Sequence, residues 1–165
     1  MHSPQRLVID ASVLIDLEKG GLFSVTVRLI AEWLMPDLIA EEFLAAPASL
    51  GLPAGMFSLE LCPEQVAEAS AVCAQHRSLG LQDASALALA RSLGAMLLAG
   101  DGPLRRIAGE AGLNVHGTLW VLDELVARCI VNGSRAADAL EAMISAGSRL
   151  PEGPCQDRIG RWRRP

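Results

Sequence analysis

The chain has 165 residues, 51% of them hydrophobic, and a formal net charge of −5. This length suits one domain with a full core, and no apolar run approaches the roughly 18–20 residues that a membrane-spanning helix needs. The acidic balance excludes a surface that coats nucleic acid throughout, but it is compatible with a nuclease, whose basic residues can be local.

From the N-terminus, residues 1–5 lead directly into an apolar strand, so we expect no signal peptide and a cytoplasmic protein. Strands and helices then alternate, which predicts an α/β fold with right-handed crossovers and a mostly parallel sheet of about five strands. The predicted strands are residues 6–9, 35–39, 56–61, 95–99 and 113–115. The predicted helices are residues 12–18, 22–35, 40–46, 63–77, 83–92, 103–111, 118–129 and 134–146.

Local residue choices predict several helix ends. Gly94 is expected to end its helix in the left-handed conformation, and Thr118 and Ser134 are expected to cap the two helices that follow. Residues 1–147 are predicted to form one domain. Residues 148–165 form a basic tail, either a nucleic-acid arm or a disordered end. The tail carries Arg158, Arg161, Trp162, Arg163 and Arg164.

Cysteine and histidine spacing argues against a zinc site. The four cysteines form no C-x-x-C pair, and reduced thiols are expected. The three histidines have no metal-ligand spacing either. These residues are Cys62, Cys73, Cys129 and Cys155, and His2, His76 and His116.

Three carboxylates adjoin strongly apolar stretches. Asp10 ends the first strand, Asp101 follows the fourth, and Asp83 opens a helical run. Ionised groups resist burial, and neighbouring carboxylates repel one another unless a cation compensates their charge. The pattern therefore predicts a metal-dependent site.

Parallel-sheet geometry indicates where such a site would lie. Ligands bind beyond the carboxyl ends of the strands, where strand order reverses, so Asp10 and Asp101 would face each other if their strands are neighbours. Glu42 could reach in from the side, with Glu41 as the competing glutamate. Ser12 could hold a water or a metal-bound oxygen. Such an oxygen-rich site suits Mg²⁺ or Mn²⁺, which can activate water and neutralise phosphodiester charge.

Four segments resemble motifs of the PIN domain family, and within it the VapC-type toxin ribonucleases and their close relatives. Residues 7–17 (LVIDASVLIDL) are similar to the opening motif of the family, and residues 81–90 to its third acidic motif. Residues 97–105 (LLAGDGPLR) resemble the fourth motif. Residues 112–125 are similar to a C-terminal signature of one branch, so the resemblance spans roughly residues 5–130.

The resemblance implies a three-layer α/β/α fold and metal-dependent cleavage of RNA. It also implies a small antitoxin partner and a homodimer, the latter also suggested by an apolar stripe in residues 22–35. The implied acidic set is Asp10, Glu42, Asp83 and Asp101, with Ser12 as supporting hydroxyl. The chain departs from the family pattern at Ala11 and Ala99, where hydroxyl residues are common.

Other interpretations stay open beside this one. Asp10 and Asp83 are also good helix N-caps, and Asp101 could begin a turn. A PIN-like module without activity, binding RNA or protein, is the main alternative. A haloacid-dehalogenase-like phosphatase would want an aspartate where Ser12 stands, a receiver domain would want a lysine at a late strand end, and no glycine-rich nucleotide motif is present.

Several further side chains have ordinary structural interpretations. Asp16, Asp123 and Glu124 are interpreted as solvated helix positions, and Trp120 as part of the core rather than a base-stacking platform. Arg105 and Arg106, close behind Asp101, could either contact the RNA backbone or lie on a solvated face.

Overall fold

The computed structural model describes residues 5–47, 49 and 51–164, so residues 1–4, 48, 50 and 165 of the predicted leader, loop and tail lie outside the described residues. The strands are β1 Gln5–Ile9, β2 Ala31–Pro36, β3 Met56–Leu59, β4 Met96–Leu98 and β5 Val115–His116. The helices are α1 Ala11–Lys19, α2 Phe23–Thr26, α3 Asp37–Ala45, α4 Pro63–Gln75, α5 Leu81–Leu93, α6 Gly102–Glu110, α7 Thr118–Ala127, α8 Gly133–Ser145 and α9 Glu152–Trp162.

The five strands form one parallel sheet in the order β3-β2-β1-β4-β5. Successive residues of a strand point to opposite faces, and the neighbours Leu7 and Val8 of β1 are only 1% and 0% exposed. Helices therefore cover both faces, which confirms the predicted three-layer α/β/α fold with its five-stranded sheet. Among the described residues, no helix is long and apolar enough to cross a membrane.

Strand order reverses between β1 and β4, which lie side by side. Ile9 pairs with Leu98, and the backbone N–H of Asp10 donates to the Leu98 carbonyl at 2.8 Å. The condition set by the sequence analysis, that the first and fourth strands are neighbours, is therefore met. Asp10 and Asp101 consequently leave the sheet at the same edge, which we call the carboxyl edge.

The predicted helix over residues 22–35 is wrong beyond Phe23–Thr26, and the strand predicted at residues 35–39 shares only Met35 and Pro36 with β2. Only α2 is helical in this region, and β2 occupies Ala31–Pro36 between β1 and β3. Trp33 and Met35 are fully buried there. Pairing with two neighbouring strands satisfies the backbone of β2 on both sides, which outweighs the local helical pattern.

The segment expected to be a basic tail contains an ordered helix, α9, which packs on α8. Trp162 and Cys155 of α9 are 9% and 1% exposed. A Cβ added to Gly133 would lie 2.6 Å from the Trp162 carbonyl oxygen, so α9 rests directly on the start of α8. Disorder is therefore not found for Glu152–Trp162.

The arginines of this segment are mostly neutralised rather than presented to a ligand. Arg158 and Arg161 both bind the carboxylate of Asp123, at 2.6 and 2.7 Å. Arg163 binds the carboxylates of Asp138 and Glu141, both at 2.8 Å. These three side chains therefore do not form a free nucleic-acid arm.

Two predicted helix caps are corrected. The N-caps of α7 and α8 are Gly117 and Asn132, and Asn132 accepts from the Arg135 N–H at 2.8 Å. Thr118 lies inside α7 and is buried, because its hydroxyl serves a tertiary bond described below. The prediction for Gly94 is confirmed, since it ends α5 with φ of 59°.

Candidate active site

Asp10 stands where β1 ends and α1 begins. It caps α1, and its Oδ2 accepts from the Ser12 N–H at 3.2 Å and from the Ser12 hydroxyl at 2.7 Å. The residue is 2% exposed, and its Oδ1 has no hydrogen-bond partner among the described residues. A buried carboxylate oxygen without a partner is costly, so this position favours an additional positive ligand.

Burial raises the pKa of Asp10, and the negative charge of Asp101 raises it further. The hydrogen bonds from Ser12 and the Ala11 backbone oppose that rise without cancelling it. The environment therefore disfavours the ionised form that a metal ligand needs, unless a cation stabilises it.

Ser12 ties Asp10 to the loop that follows β4. Its hydroxyl donates to Asp10 and accepts from the Gly100 N–H at 2.9 Å. A Cβ at Gly100 would lie 3.1 Å from the Ser12 oxygen, so the absence of a side chain there permits the approach. The structure thus places Ser12 as a bridge between the two strand ends that carry Asp10 and Asp101.

Asp101 caps α6, where its Oδ2 accepts from the Leu104 N–H at 3.0 Å. Pro103 lies in the first turn of the same helix, a position that needs no N–H donor. Asp101 is exposed, in contrast to Asp10. The cap fixes one carboxylate oxygen beside the loop that Ser12 holds.

Asp83 lies in the first turn of α5, and its Oδ2 accepts from the Gly80 N–H at 3.0 Å. Burial raises the pKa of Asp83 most, and the charges of Asp10 and Asp101 raise it further. The N-cap of α5 is Gly80, so Asp83 is not the N-cap; its carboxylate instead accepts from the N-cap backbone out of the first turn, and the site interpretation stays a prediction. The three aspartates act on one another electrostatically at the carboxyl edge.

Glu42 reaches this edge from α3, which packs on α5. Its Oε2 accepts from the side-chain amide of Gln82 at 2.9 Å. This bond joins Glu42 to the residue next to Asp83. Glu41 and Glu42 are both exposed, so Glu42 stays a prediction as the fourth carboxylate.

No group of three or more His, Cys, Asp or Glu side chains within residues 5–47, 49 and 51–164 is arranged to hold a metal ion. The predicted set still fits a hard divalent cation in its chemistry, because its donors are all carboxylate oxygens. The unpartnered Oδ1 of Asp10 and the raised pKa values of Asp10 and Asp83 both indicate uncompensated negative charge. Asp83 and Asp101 each accept a backbone N–H at Oδ2, so the second oxygen of each carboxylate remains for an ion.

A cleft of about 450 Å³ opens beside Asp101. Its lining includes Ser12 and two basic residues, Lys19 and Arg149. Positive charge beside the carboxylates suits a polyanion that must approach an acidic surface. Although the whole chain is acidic, this part of the surface is mixed in charge.

Asp16 also lines this cleft, and the interpretation of Asp16 as a solvated residue is wrong. It is 8% exposed, and its Oδ2 accepts from the buried Thr118 hydroxyl at 2.7 Å, which links α1 to α7. The helical spacing of Asp16 from the buried Val13 was the available sequence signal. Asp123 is likewise not simply solvated, because Arg158 and Arg161 bind it.

A family model described as a PIN domain matches residues 6–164. The match takes in all four predicted carboxylates and continues through α9. A comparison with curated proteins finds no match.

Proposed function

The chain belongs to the PIN domain family, and from this premise we propose that it is a metal-dependent endoribonuclease that hydrolyses RNA phosphodiester bonds. Proteins of this family are generally nucleases that use divalent metals. The observation that carries the proposal is the electrostatic conflict at the carboxyl edge, where burial and mutual charge raise the pKa of Asp10 and of Asp83. A fold keeps such a conflict most readily where a cation is to be bound.

Asp10, Asp83 and Asp101 would hold Mg²⁺ or Mn²⁺, with Glu42 as the fourth carboxylate. The bound ion would supply an activated water and neutralise charge on the phosphodiester. Ser12 holds the Asp10 carboxylate by two hydrogen bonds and anchors the loop before Asp101 through Gly100. The protein itself therefore fixes the spacing between two of the proposed ligands.

Binding of the RNA backbone would use the basic residues around the cleft. Lys19 and Arg149 line the cavity that contains Asp101. Phosphate contacts by such residues position a nucleic acid without reading its sequence. With carboxylates for the metal and separate basic residues for the phosphates, an acidic protein could act on a polyanion.

The decisive experiment is cleavage of total cellular RNA by the purified chain, with Mn²⁺ and with EDTA. We expect discrete fragments with Mn²⁺, no cleavage in EDTA, and no cleavage by Asp10→Asn or Asp101→Asn, each with a native circular dichroism spectrum. Asp157→Asn, an exposed carboxylate on α9, is the matched control and should cleave normally. If both site variants still cleave RNA, the proposed site is wrong.

We further propose that the protein is the toxin of a type II toxin–antitoxin pair, on the strength of its motif resemblance. A small antitoxin would then bind it and suppress cleavage. A small gene beside this one, whose product co-purifies with the chain and blocks RNA cleavage, is the expected finding. An isolated gene would count against this role while leaving the nuclease proposal intact.

A homodimer is proposed on the same resemblance, but not on the apolar stripe of residues 22–35. Leu22 and Leu29 of that segment are 0% and 5% exposed and belong to the chain's own core. Sedimentation at micromolar concentration should show a dimer. A monomer throughout that range would remove the proposal.

A second candidate function is a PIN-like module that binds RNA or protein without cleaving. The observation in its favour is that no three metal-ligating side chains in the described part of the chain stand ready to share an ion. Calorimetric titration with Mn²⁺ discriminates between the two functions. Absence of binding at millimolar Mn²⁺ would favour the inactive module.

A further inference from the structure

We propose that a second cleft, next to the carboxylates, binds one nucleotide of the RNA strand, with its base against the ring pair of His116 and Trp120 and its phosphate at Arg105 and Arg149. This inference rests on the proposed function, because it assigns a binding position to the same substrate. We call this cavity the aromatic cleft. Its lining includes His116, Trp120, Arg105, Arg149, Asp123 and Arg158.

The aromatic cleft lies at the same edge of the sheet as the carboxylates. His116 ends β5, and its carbonyl accepts from the Ala99 N–H at 2.9 Å. Ala99 is two residues before Asp101, on the neighbouring strand end. Gly100 and Arg149 line both this cleft and the one that contains Asp101. A strand lying across the edge would therefore meet the two cavities in succession.

The cleft has the size and the surfaces that a nucleotide needs. Its volume is about 370 Å³, within the range of small-molecule sites. The His116 and Trp120 rings stack with centroids 4.7 Å apart and planes at 23°. Trp120 packs against the core, as the sequence indicated, but it is only partly buried and also lines the cleft. Burial lowers the pKa of His116, and the Arg105 charge lowers it further, which favours the neutral imidazole. Flat aromatic surfaces are the usual platforms for unpaired bases.

The positive charge of the cleft comes from two arginines, not from all three that line it. Arg158 is engaged by Asp123 through bonds of 2.9 and 2.6 Å. Within the described residues, neither Arg105 nor Arg149 forms an ion pair. Both are thus available to a phosphate, for which a guanidinium group is a well-matched donor.

Gly117 lets Arg105 lie between the carboxyl edge and the aromatic cleft. The Arg105 guanidinium donates to the Ala99 carbonyl at 2.9 Å, and a Cβ on Gly117 would approach its Nη1 to 2.9 Å. Arg105 is therefore held in place by the fold rather than swinging freely in solvent. A phosphate bound there would lie on the side of the cleft that faces Asp101.

The test is binding of fluorescein-labelled single-stranded RNA 12-mers, oligoadenylate and oligouridylate, followed by anisotropy. All variants are made in full-length Asp10→Asn protein, so that nothing is cut. We expect Trp120→Ala to weaken oligoadenylate binding about tenfold, in line with the stacking of one base. Trp120→Phe should retain most of the affinity, and oligoadenylate should bind more tightly than oligouridylate because purines stack more strongly.

Arg149→Ala supplies a variant that cannot be dismissed as misfolded, since Arg149 is exposed. It should weaken binding and reduce the slope of log affinity against log salt by about 0.7, the loss of one single-strand phosphate contact. The matched control is Arg135→Ala, an exposed arginine of α8 outside both clefts. The control should change neither affinity nor slope.

Two outcomes would overturn the inference. One is equal affinity and salt slope for the parent protein, Trp120→Ala and Arg149→Ala. The other is a parent protein that binds neither oligonucleotide. Cleavage of total RNA by the unmutated chain then separates the two proposals, because continued cleavage would leave the nuclease function standing without this nucleotide position.

Discussion

Asp10 bears the sharpest conflict between a side chain and its surroundings. Burial raises its pKa above the ordinary value of 3.8, so the folded state holds the proton more tightly than the unfolded state does. The free energy of unfolding then falls as pH rises from the unfolded pKa through the folded one, and the full penalty is reached only above the folded pKa. Asp10→Asn removes the charge, while asparagine caps helices as well as aspartate.

Without metal, Asp10→Asn should therefore be more stable than the unmutated protein at about pH 7.5, with a difference that shrinks toward about pH 4. Urea unfolding in EDTA at both pH values measures this. Saturating Mn²⁺ should make the unmutated protein the more stable of the two. Only the unmutated protein gains free energy of unfolding from metal binding, about 2.7 kcal/mol when Mn²⁺ is in hundredfold excess over Kd. A variant less stable than its parent in EDTA at both pH values would refute the argument.

Ser12 joins the ends of β1 and β4, so replacing it should disturb both strand ends. Ser12→Ala leaves the Gly100 N–H without the 2.9 Å acceptor and Asp10 without the 2.7 Å donor. We expect a loss of about 1–3 kcal/mol in stability and a further rise in the pKa of Asp10. Thermal unfolding checks the first expectation, and an alkaline shift of the pH profile of RNA cleavage checks the second.

The control for that substitution is Ser145→Ala, on the exposed surface of α8. It should leave both the melting temperature and the pH profile unchanged. If Ser12→Ala melts like the unmutated protein and cleaves with an unchanged profile, the bridge contributes nothing to either property.

What the sequence could reveal at the scale of residues depended on whether the signal was local. An aspartate at or just beyond the end of an apolar strand is a local pattern, and it predicted that Asp10 and Asp101 lie at strand ends, as they do. The bond between Asp16 and Thr118 joins residues 102 positions apart. Helical spacing could have placed Asp16 on a buried face, but its partner is supplied only by the packing of α1 against α7.

At the scale of elements, sheet pairing overrode a helical pattern in residues 22–35. Leu22 and Leu29 fit the spacing of a helical stripe, but they lie on either side of the short α2 rather than within one long helix. Both are buried all the same. Trp33 and Met35 lie farther along the chain on β2, where successive side chains point to opposite faces of the sheet. By sequence the stripe suggests a dimer, whereas Leu22 and Leu29 lie in the chain's own core and Ile30 is exposed. The pairing partners that decide between helix and strand lie elsewhere in the chain.

The junction of α8 with α9 provides a test at this scale. A Cβ at Gly133 would lie 2.6 Å from the Trp162 carbonyl oxygen, which is backbone and cannot move cheaply. Gly133→Ala should therefore cost about 1–3 kcal/mol, or a fall of about 2–4 °C in melting temperature per kcal/mol. Differential scanning calorimetry measures the change.

Gly160→Ala is the matched control in α9, because nothing lies within 4 Å of the Cβ it would add. This change should be neutral or stabilising by up to about 1 kcal/mol, since alanine favours a helix. Equal melting temperatures for both variants would mean that α9 does not rest on Gly133 as the structure has it.

At the scale of the whole molecule, a parallel sheet of about five strands was predictable, but its strand order and the final helix were not. Alternating strands and helices imply a parallel sheet whose reversal point gathers the strand-end carboxylates. In α9 the apolar residues Cys155, Ile159 and Trp162 recur at helical spacing, but prolines and arginines surround them. The carboxylates that neutralise those arginines lie on α7 and α8, far away in the sequence.

Charge distribution across the molecule leads to the last prediction. Asp123 and Arg158 line the aromatic cleft, and Asp123 forms ion pairs with both Arg158 and Arg161. Asp123→Asn removes one negative charge there and frees two arginines, which should tighten single-stranded RNA binding about threefold at low salt and steepen the salt dependence. The same change should cost about 1 kcal/mol of stability, because the ion pairs are partly exposed.

Asp138→Asn alters the net charge equally and also breaks a bond to an arginine, Arg163, but it lies outside the aromatic cleft. Anisotropy titrations of both variants in the Asp10→Asn background, at two salt concentrations, separate a local effect from a global one. Tighter binding by Asp123→Asn alone would mean that the position of a charge governs RNA binding in this acidic protein. If both variants bind RNA more tightly by the same factor, net charge explains the higher affinity and the prediction is contradicted.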